Sequence, residues 1–243
     1  MLHSPIVLRN IVASKKNIYK IFNKIAHKYD LVNRVLSMGQ DVAWRKKASE
    51  FLPSTGNLSL LDLASGTGDL LFSFMGSNKI KSAVGMDMAV NMLALARQKA
   101  VKKKLNNKVR FKIGDACALP VSDDSFDVAT MAFGIRNVEN VSKCLNEMNR
   151  ILTNNGRVII LEFSLPQNCL VRSFYLFYFR YILPVIGGII SGDYKAYRYL
   201  NLSVENFFYG GRFLDLMKKS GMKNLRVIPL TFGVATLYIG DKA

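Results

Sequence analysis

The stretch that most limits how this chain can fold is LLDLASGTGDLL, residues 60–71. An apolar run (Leu60, Leu61, Leu63) enters a Ser-Gly-Thr-Gly turn, and apolar residues at helical spacing follow at once. Strand, glycine turn and helix together form the unit by which an α/β fold presents backbone N–H groups to a nucleotide. The same alternation continues downstream. KSAVGMDM, VRFKIGDA, FDVATMAF and RVIILEFS read as strands, and AVNMLALARQKAVKK and VSKCLNEMNRIL as helices, with a turn at TNNG. Repeated βα units predict a parallel, doubly wound sheet with right-handed crossovers.

The flanks differ. Residues 11–52 read as helix, break at SMGQD, and helix, an N-terminal cap (1–52) that belongs to the same domain as residues 53–243. From about 165 to 202 the rhythm is lost in an aromatic-rich insertion. Then SVENFFYGGRFLDLMKKSGM predicts one helix, and LRVIPLTFGVATLYIGD an antiparallel hairpin at the sheet edge. Within the insertion, SFYLFYFRYILPVIGGII approaches a membrane span in length, but Arg180, Pro184 and Gly187-Gly188 favour a buried or membrane-surface element. MLHSPIVLRNIVASKK has no sustained apolar stretch or small-residue cleavage site, so no signal peptide is expected.

Three dispersed cysteines (Cys117, Cys144, Cys169) and two histidines (His3, His27) exclude a disulfide framework and a zinc site, as expected of a reduced, intracellular protein. A net charge of +17 points to an anionic partner or simply to a soluble, lysine-rich surface; the run Lys99 to Lys112 fits a solvated helix end.

The glycine turn restricts its ligand. A pyrophosphate fingerprint wants a third glycine where Leu71 stands, and Asp69 at the helix start repels a pyrophosphate. No Gly-Lys-Ser/Thr follows, so a P-loop is excluded. S-adenosylmethionine, cationic and free of phosphate, suits the same residues. Asp62 closes the first strand, in position to face the ammonium group. Gly66 and Gly68 allow close backbone approach. Asp87 ends the second strand, where a carboxylate accepts from both ribose hydroxyls. Asp115 and Ala116 follow the third, positioned for adenine. Ala64, Thr67, Asp69, Met88 and Ala132 complete the expected cofactor set. Each aspartate alone is an ordinary helix cap; three at successive strand ends predict a ligand crevice.

LDLASGTGDL, GDACALPVSDDSFDVATMAFGIRNV and RVIILEFS resemble a class I methyltransferase, and two longer stretches are more specific. YDLVNRVLSMGQDVAW (Tyr29, Asp30, Asn33, Ser37, Gly39, Trp44) and RILTNNGRVIILEFS (Gly156, Glu162, Ser164) are similar to the signatures of the ubiquinone/menaquinone biosynthesis C-methyltransferase family, as are FGIRNV and YRYLNLSVENF. The chain departs from the pattern at Asp41 (histidine in the family), Val32 (methionine) and Thr153-Asn154-Asn155 (Lys-Pro-Gly). Ala132 takes a position that can carry a serine near the cofactor.

The resemblance implies a Rossmann-like, mostly parallel seven-stranded sheet and C-methylation of a polyprenylated quinol. The ring would be a demethylmenaquinol or a 2-methoxy-6-polyprenyl-1,4-benzoquinol. The candidate catalytic residues are then Tyr29 and Asn33 on the cap, and Arg136 and Asn137 after the fourth strand. Arg136 is placed to stabilise a quinolate oxygen and Tyr29 to relay a proton through water. Tyr197, Arg198 and Tyr199 are candidate walls of the ring pocket, Glu162 is placed to reach the cleft, and His27 reads as a helix-surface residue. The expected partners are the quinol and a membrane surface touched peripherally, with no nucleic acid, in the cytoplasm. A homodimer or a quinone-biosynthesis complex is also in keeping with the resemblance. Three alternatives stay open: a non-catalytic adenosylmethionine-binding, lipid-associated protein, a methyltransferase of another phenol or lipid, and one of RNA. Against RNA, AFGIRN lacks the Asp/Asn-Pro-Pro-Tyr loop and the cysteine common in base-modifying enzymes.

Overall fold

The computed structural model describes residues 17–243; the targeting reading of Met1–Lys16, with His3, lies outside the described residues. Seven strands form one sheet in the order β3-β2-β1-β4-β5-β7-β6. β1 (Leu58–Leu63), β2 (Ile80–Asp87), β3 (Val109–Ile113), β4 (Phe126–Ala132) and β5 (Leu152–Phe163) pair in parallel; β7 (Ala235–Lys242) runs antiparallel to β5 and to the edge strand β6 (Met222–Leu230). Alternate residues of the central strands feed two cores. Leu60, Ile159, Leu161, Leu237 and Ile239 face α2 (Gln40–Ser49), α3 (Asp69–Met75) and α4 (Val90–Lys102). Leu61, Leu63, Val158, Ile160 and Tyr238 face α5 (Val141–Arg150) and α9 (Gly211–Lys219). Apolar residues at both parities are what a sheet buried on two faces requires.

The chain leaves β1 toward β2 and β3, then returns to β4 on β1's other side. That reversal opens a crevice beyond the carboxyl ends of β1 and β4. α1 (Ile18–Leu36) lies over it, with Ile25, Val32 and Leu36 packed against the residue 165–205 region.

Three sequence expectations need correction. The insertion is a helical hairpin: α6 (Cys169–Phe177) runs through a π-helical turn (Tyr178–Ile182) into α7 (Leu183–Ser191), and α8 (Tyr194–Glu205) returns. Pro184 does not interrupt. The wider turn just before it relieves the clash of its ring with the preceding carbonyls. Nor do Gly187-Gly188 break the helix: a Cβ on Gly187 would stand 2.6 Å from the Tyr197 ring, so glycine lets α8 pack close. The element is also not buried as a whole, since Leu170, Phe174, Phe177, Tyr181, Val185 and Ile189 are exposed.

Second, the helix read across 203–222 is two. Its start belongs to α8, and Gly210 (φ 64°, ψ −135°), in a conformation that favours glycine, separates it from α9. Third, the TNNG turn is absorbed into β5 as an irregularity. Register jumps from Phe126–Leu152 to Val128–Arg157, with Asn155 left-handed at φ 62°.

Candidate active site

The turn after β1 is built from left-handed residues: Ala64 (φ 47°), Gly66 (φ 56°) and Gly68 (φ 83°). A Cβ at Gly66 would meet nothing within 4 Å, because the residue faces an open cavity. A Cβ at Gly68 would stand 2.8 Å from the Phe72 ring, so this glycine serves helix packing instead. The Asp87 carboxylate holds the crevice together, accepting from Gly66 N (2.8 Å) and Ala89 N (2.7 Å). Burial raises its pKa, while the backbone N–H groups of Ala89, Gly66 and Met88 pull it down.

Ala64, Gly66, Asp87 and Met88 line this first cavity, with Asp115, Ala116 and Ala132. Asp115 is exposed and also accepts from Cys117 N at 2.8 Å. Asp62 lies behind the lining, 1% exposed. The Thr130 hydroxyl donates to its Oδ1 at 2.7 Å, and its Oδ2 has no hydrogen-bond partner among the described residues. Burial pushes its pKa up to about 7 against the pull of the Thr130 hydrogen bond.

Thr67 and Asp69 do not line the cavity. Thr67 stands in the turn just before Gly68 and Asp69 opens α3, and both side chains meet partners on α1 and α4 instead. The Thr67 hydroxyl donates to Asp30 (2.6 Å), and Lys99 bridges Asp30 (2.5 Å) and Asp69 (2.6 Å). Asn23 accepts two hydrogen bonds from Asn91, at its Oδ1 from Asn91 N (2.8 Å) and at its backbone O from Asn91 Nδ2 (3.1 Å). The expected cofactor ligands Thr67 and Asp69 thus fasten the cap helix. Lys99, read as part of a solvated run, is their partner.

A second, mostly apolar cavity meets the first at Ile18, Phe22, Tyr29 and Phe133. Tyr29, Asn33 and Arg136 line it, and Tyr197 and Tyr199 are among its walls; Arg198 and His27 are exposed elsewhere. Burial raises the Tyr29 pKa, with Asn33 and the Arg136 and Arg45 charges acting against it. Asn137 departs from expectation: it lines the first cavity rather than the second. The short 3₁₀ turn Ile135–Asn137 swings consecutive side chains to different sides, and Tyr199 OH reaches Asn137 Oδ1 at 3.2 Å.

Arg136 is 5% exposed and held by its Nε and Nη1. Its Nη1 donates to Glu162 Oε1 and to Phe133 O, both at 2.6 Å, and its Nε to Ser203 Oγ at 3.3 Å. Glu162 is fully buried; burial raises its pKa and the Arg136 charge lowers it. Phe133 and Phe163 stack at 4.3 Å, with the Arg136 guanidinium 5.3 Å from the Phe163 ring and that of Arg45 5.8 Å from Phe133. Arg45 pairs with the buried Asp41, which also accepts from Ser37 Oγ (2.9 Å). The sequence reading missed Arg45. Its four-residue spacing from Asp41 on a helix was the available signal.

Among the described residues no group of histidine, cysteine and acidic side chains forms a metal site. The geometry therefore offers a crevice lined by the carboxylates Asp87 and Asp115 with Asp62 buried behind it, opening onto an aromatic-walled cavity that holds two buried cations, each paired with a carboxylate.

Solved structures of the same fold include a SAM-dependent methyltransferase from Thermotoga maritima (TM-score 0.63, 22% identity, 93% of this chain and 100% of that one). They also include the [4+2]-cyclase SpnF (TM-score 0.63, 14% identity, 94% and 96%), so the fold alone does not select the chemistry. Sequence relatives are more specific. A demethylmenaquinone methyltransferase of Thermus thermophilus is 42% identical over 91% of this chain and 100% of its own length. A ubiquinone/menaquinone biosynthesis C-methyltransferase UbiE of Geotalea daltonii is 40% identical over 93% and 97%. With the family model matching residues 10–242, the chain belongs to the ubiE/COQ5 methyltransferase family.

Proposed function

We propose that this enzyme transfers a methyl group from S-adenosylmethionine to a ring carbon of a reduced polyprenylated quinol; its relatives are named as a demethylmenaquinone methyltransferase and a ubiquinone/menaquinone biosynthesis C-methyltransferase. The observation that carries the reading is the meeting of a carboxylate-lined crevice with an aromatic, cation-bearing cavity at Tyr29 and Phe133. The first cavity fits adenosylmethionine. Gly66 leaves room where a Cβ would intrude, and the unpartnered Asp62 Oδ2 suits an ammonium group rather than a phosphate. When bound, the cofactor supplies a methyl group on a positively charged sulfur.

The chain's part is orientation and charge. The Phe133–Phe163 stack and the tyrosine walls hold a flat ring and exclude water. Arg136, fixed by Glu162 and Phe133 O, presents a cation to the oxygen whose deprotonation makes the ring carbon nucleophilic. Tyr29, with Asn33 one helical turn on, stands where the two cavities join and passes the released proton to solvent.

The helix 169–191 supports a lipid-dissolved substrate. It is long and apolar enough to cross a membrane by length and composition. Tyr178, Phe179 and Leu183 face the second cavity, whereas Phe174 (76%) and Ile189 (78%) are exposed. Lying flat on the cytoplasmic face of a membrane, this face takes up the isoprenoid tail, and basic residues near anionic lipid add about 1 kcal/mol each. Phe174→Ser with Ile189→Ser should lower turnover of a long-chain quinol in vesicles at least fivefold. It should leave a water-soluble short-chain quinol unaffected; equal loss on both would count against the lipid-facing role.

The test of the function itself is methyl transfer from labelled adenosylmethionine to a reduced short-chain demethylmenaquinol and a reduced methoxy-benzoquinol, read by mass spectrometry, with oxidised quinones as controls. Product from either reduced ring, and none from the oxidised forms, is expected. Cofactor binding without any ring product would overturn the reading.

A further inference from the structure

Four tyrosines from the helical hairpin (Tyr175, Tyr178, Tyr197 and Tyr199) line the quinol cavity, and Tyr175 differs from the others in one respect. Tyr178 donates to Leu36 O at 2.9 Å and Tyr199 to Asn137 Oδ1 at 3.2 Å. The Tyr175 hydroxyl is buried and has no hydrogen-bond partner among the described residues. A buried hydroxyl without a partner is uncommon, because its desolvation is uncompensated, and each instance needs a reason. The ring is well fixed, stacked on Phe179 at 5.0 Å with 22° between planes.

Location supplies the reason. Tyr175 sits on the inner side of α6, while its neighbours Phe174 and Phe177 are exposed. Burial raises the Tyr175 pKa, with the Arg136 charge pulling it down and Tyr178 and Glu205 pushing it up. Tyr175 and Arg136 line the same cavity. A ring bound there brings oxygen substituents able to accept from a phenol.

We propose that the Tyr175 hydroxyl donates a hydrogen bond to a ring oxygen of the quinol and fixes the orientation of the ring in its plane. This rests on the quinol reading above. A phenylalanine could hold the same packing position, so the hydroxyl is what specifies the orientation.

The experiment compares wild type with Tyr175→Phe, a variant that removes an unpartnered group. The melting midpoint without substrate should equal or exceed that of wild type, and adenosylmethionine affinity should be unchanged. kcat/KM for a reduced short-chain demethylmenaquinol should fall about tenfold, mostly through KM, as expected for one lost hydrogen bond. Binding of two naphthol analogues, each lacking one ring hydroxyl, completes the comparison. For one of them wild type and variant should bind equally, because the acceptor is gone. Wild-type kinetics in the variant would overturn the proposal, as would the same loss with both analogues, which marks a packing role. If wild type turns over no quinol at all, the substrate reading falls and this proposal falls with it.

Discussion

Replacing Arg136 with alanine is expected to lower the melting midpoint by about 10 °C and to abolish methyl transfer. Glu162 is fully buried, and its Oε1 lies 2.6 Å from Arg136 Nη1. Removing one partner of a buried ion pair typically costs about 3–5 kcal/mol, because the other charge stays buried and uncompensated. In a chain of this size each kcal/mol corresponds to roughly 2–4 °C. The loss should depend on pH. Burial already raises the Glu162 pKa, and without the guanidinium it rises further. A carboxyl with a raised folded-state pKa contributes stability at low pH that is lost as pH rises through that value. The deficit should thus be larger at pH 8 than at pH 5. The double variant Arg136→Met, Glu162→Gln leaves no buried charge at the pair. It should recover most of the stability and none of the activity. Recovery of both would show that Arg136 acts only as a structural partner.

Asp62→Asn should weaken adenosylmethionine binding about 10- to 100-fold, the effect of losing a hydrogen bond to a charged group. The same change should leave the ligand-free protein as stable as wild type at pH 8, or more so. The Asp62 carboxyl, pushed up to about 7, sits above the ordinary aspartate value near 3.9. Its contribution to stability is complete below the unfolded value and is lost as pH rises through about 7. Asparagine removes that slope. An ammonium group favours the ionised carboxylate, so wild-type affinity should rise between pH 5.5 and 7.5. At the lower pH, binding should release a proton, measurable by calorimetry in two buffers of different ionisation enthalpy. Binding that is independent of pH and indifferent to Asp62→Asn would remove Asp62 from the cofactor site.

The βα core was legible because parallel strands covered on both faces leave short apolar runs, unbroken at Val158–Leu161 and interrupted only by Asp62 at Leu60–Leu63. Asp87 and Asp115 could be placed at the crevice for a related reason: Asp87 ends β2 and Asp115 stands two residues past β3, and both strand ends were clear. The insertion was not legible. A helix that packs a cavity with one side and exposes aromatic residues on the other is apolar all round, so no helical period marks it. The Arg136–Glu162 pair joins β5 to the turn after β4. No spacing rule connects residues that only the sheet brings together. Thr67 and Asp69 show the limit of motif reading. They belong to the glycine turn in sequence, yet their side chains answer to Asp30 and Lys99.

α1 contributes Ile18, Phe22 and Tyr29 to both cavities, and polar groups at Asn23 and Asp30 hold it down. A roof shared in this way ties the traffic of two ligands of opposite character. A displacement of α1 would open both compartments together, so substitutions in its fastenings at Asn23 and Asp30 should alter the binding of both ligands, not of one alone.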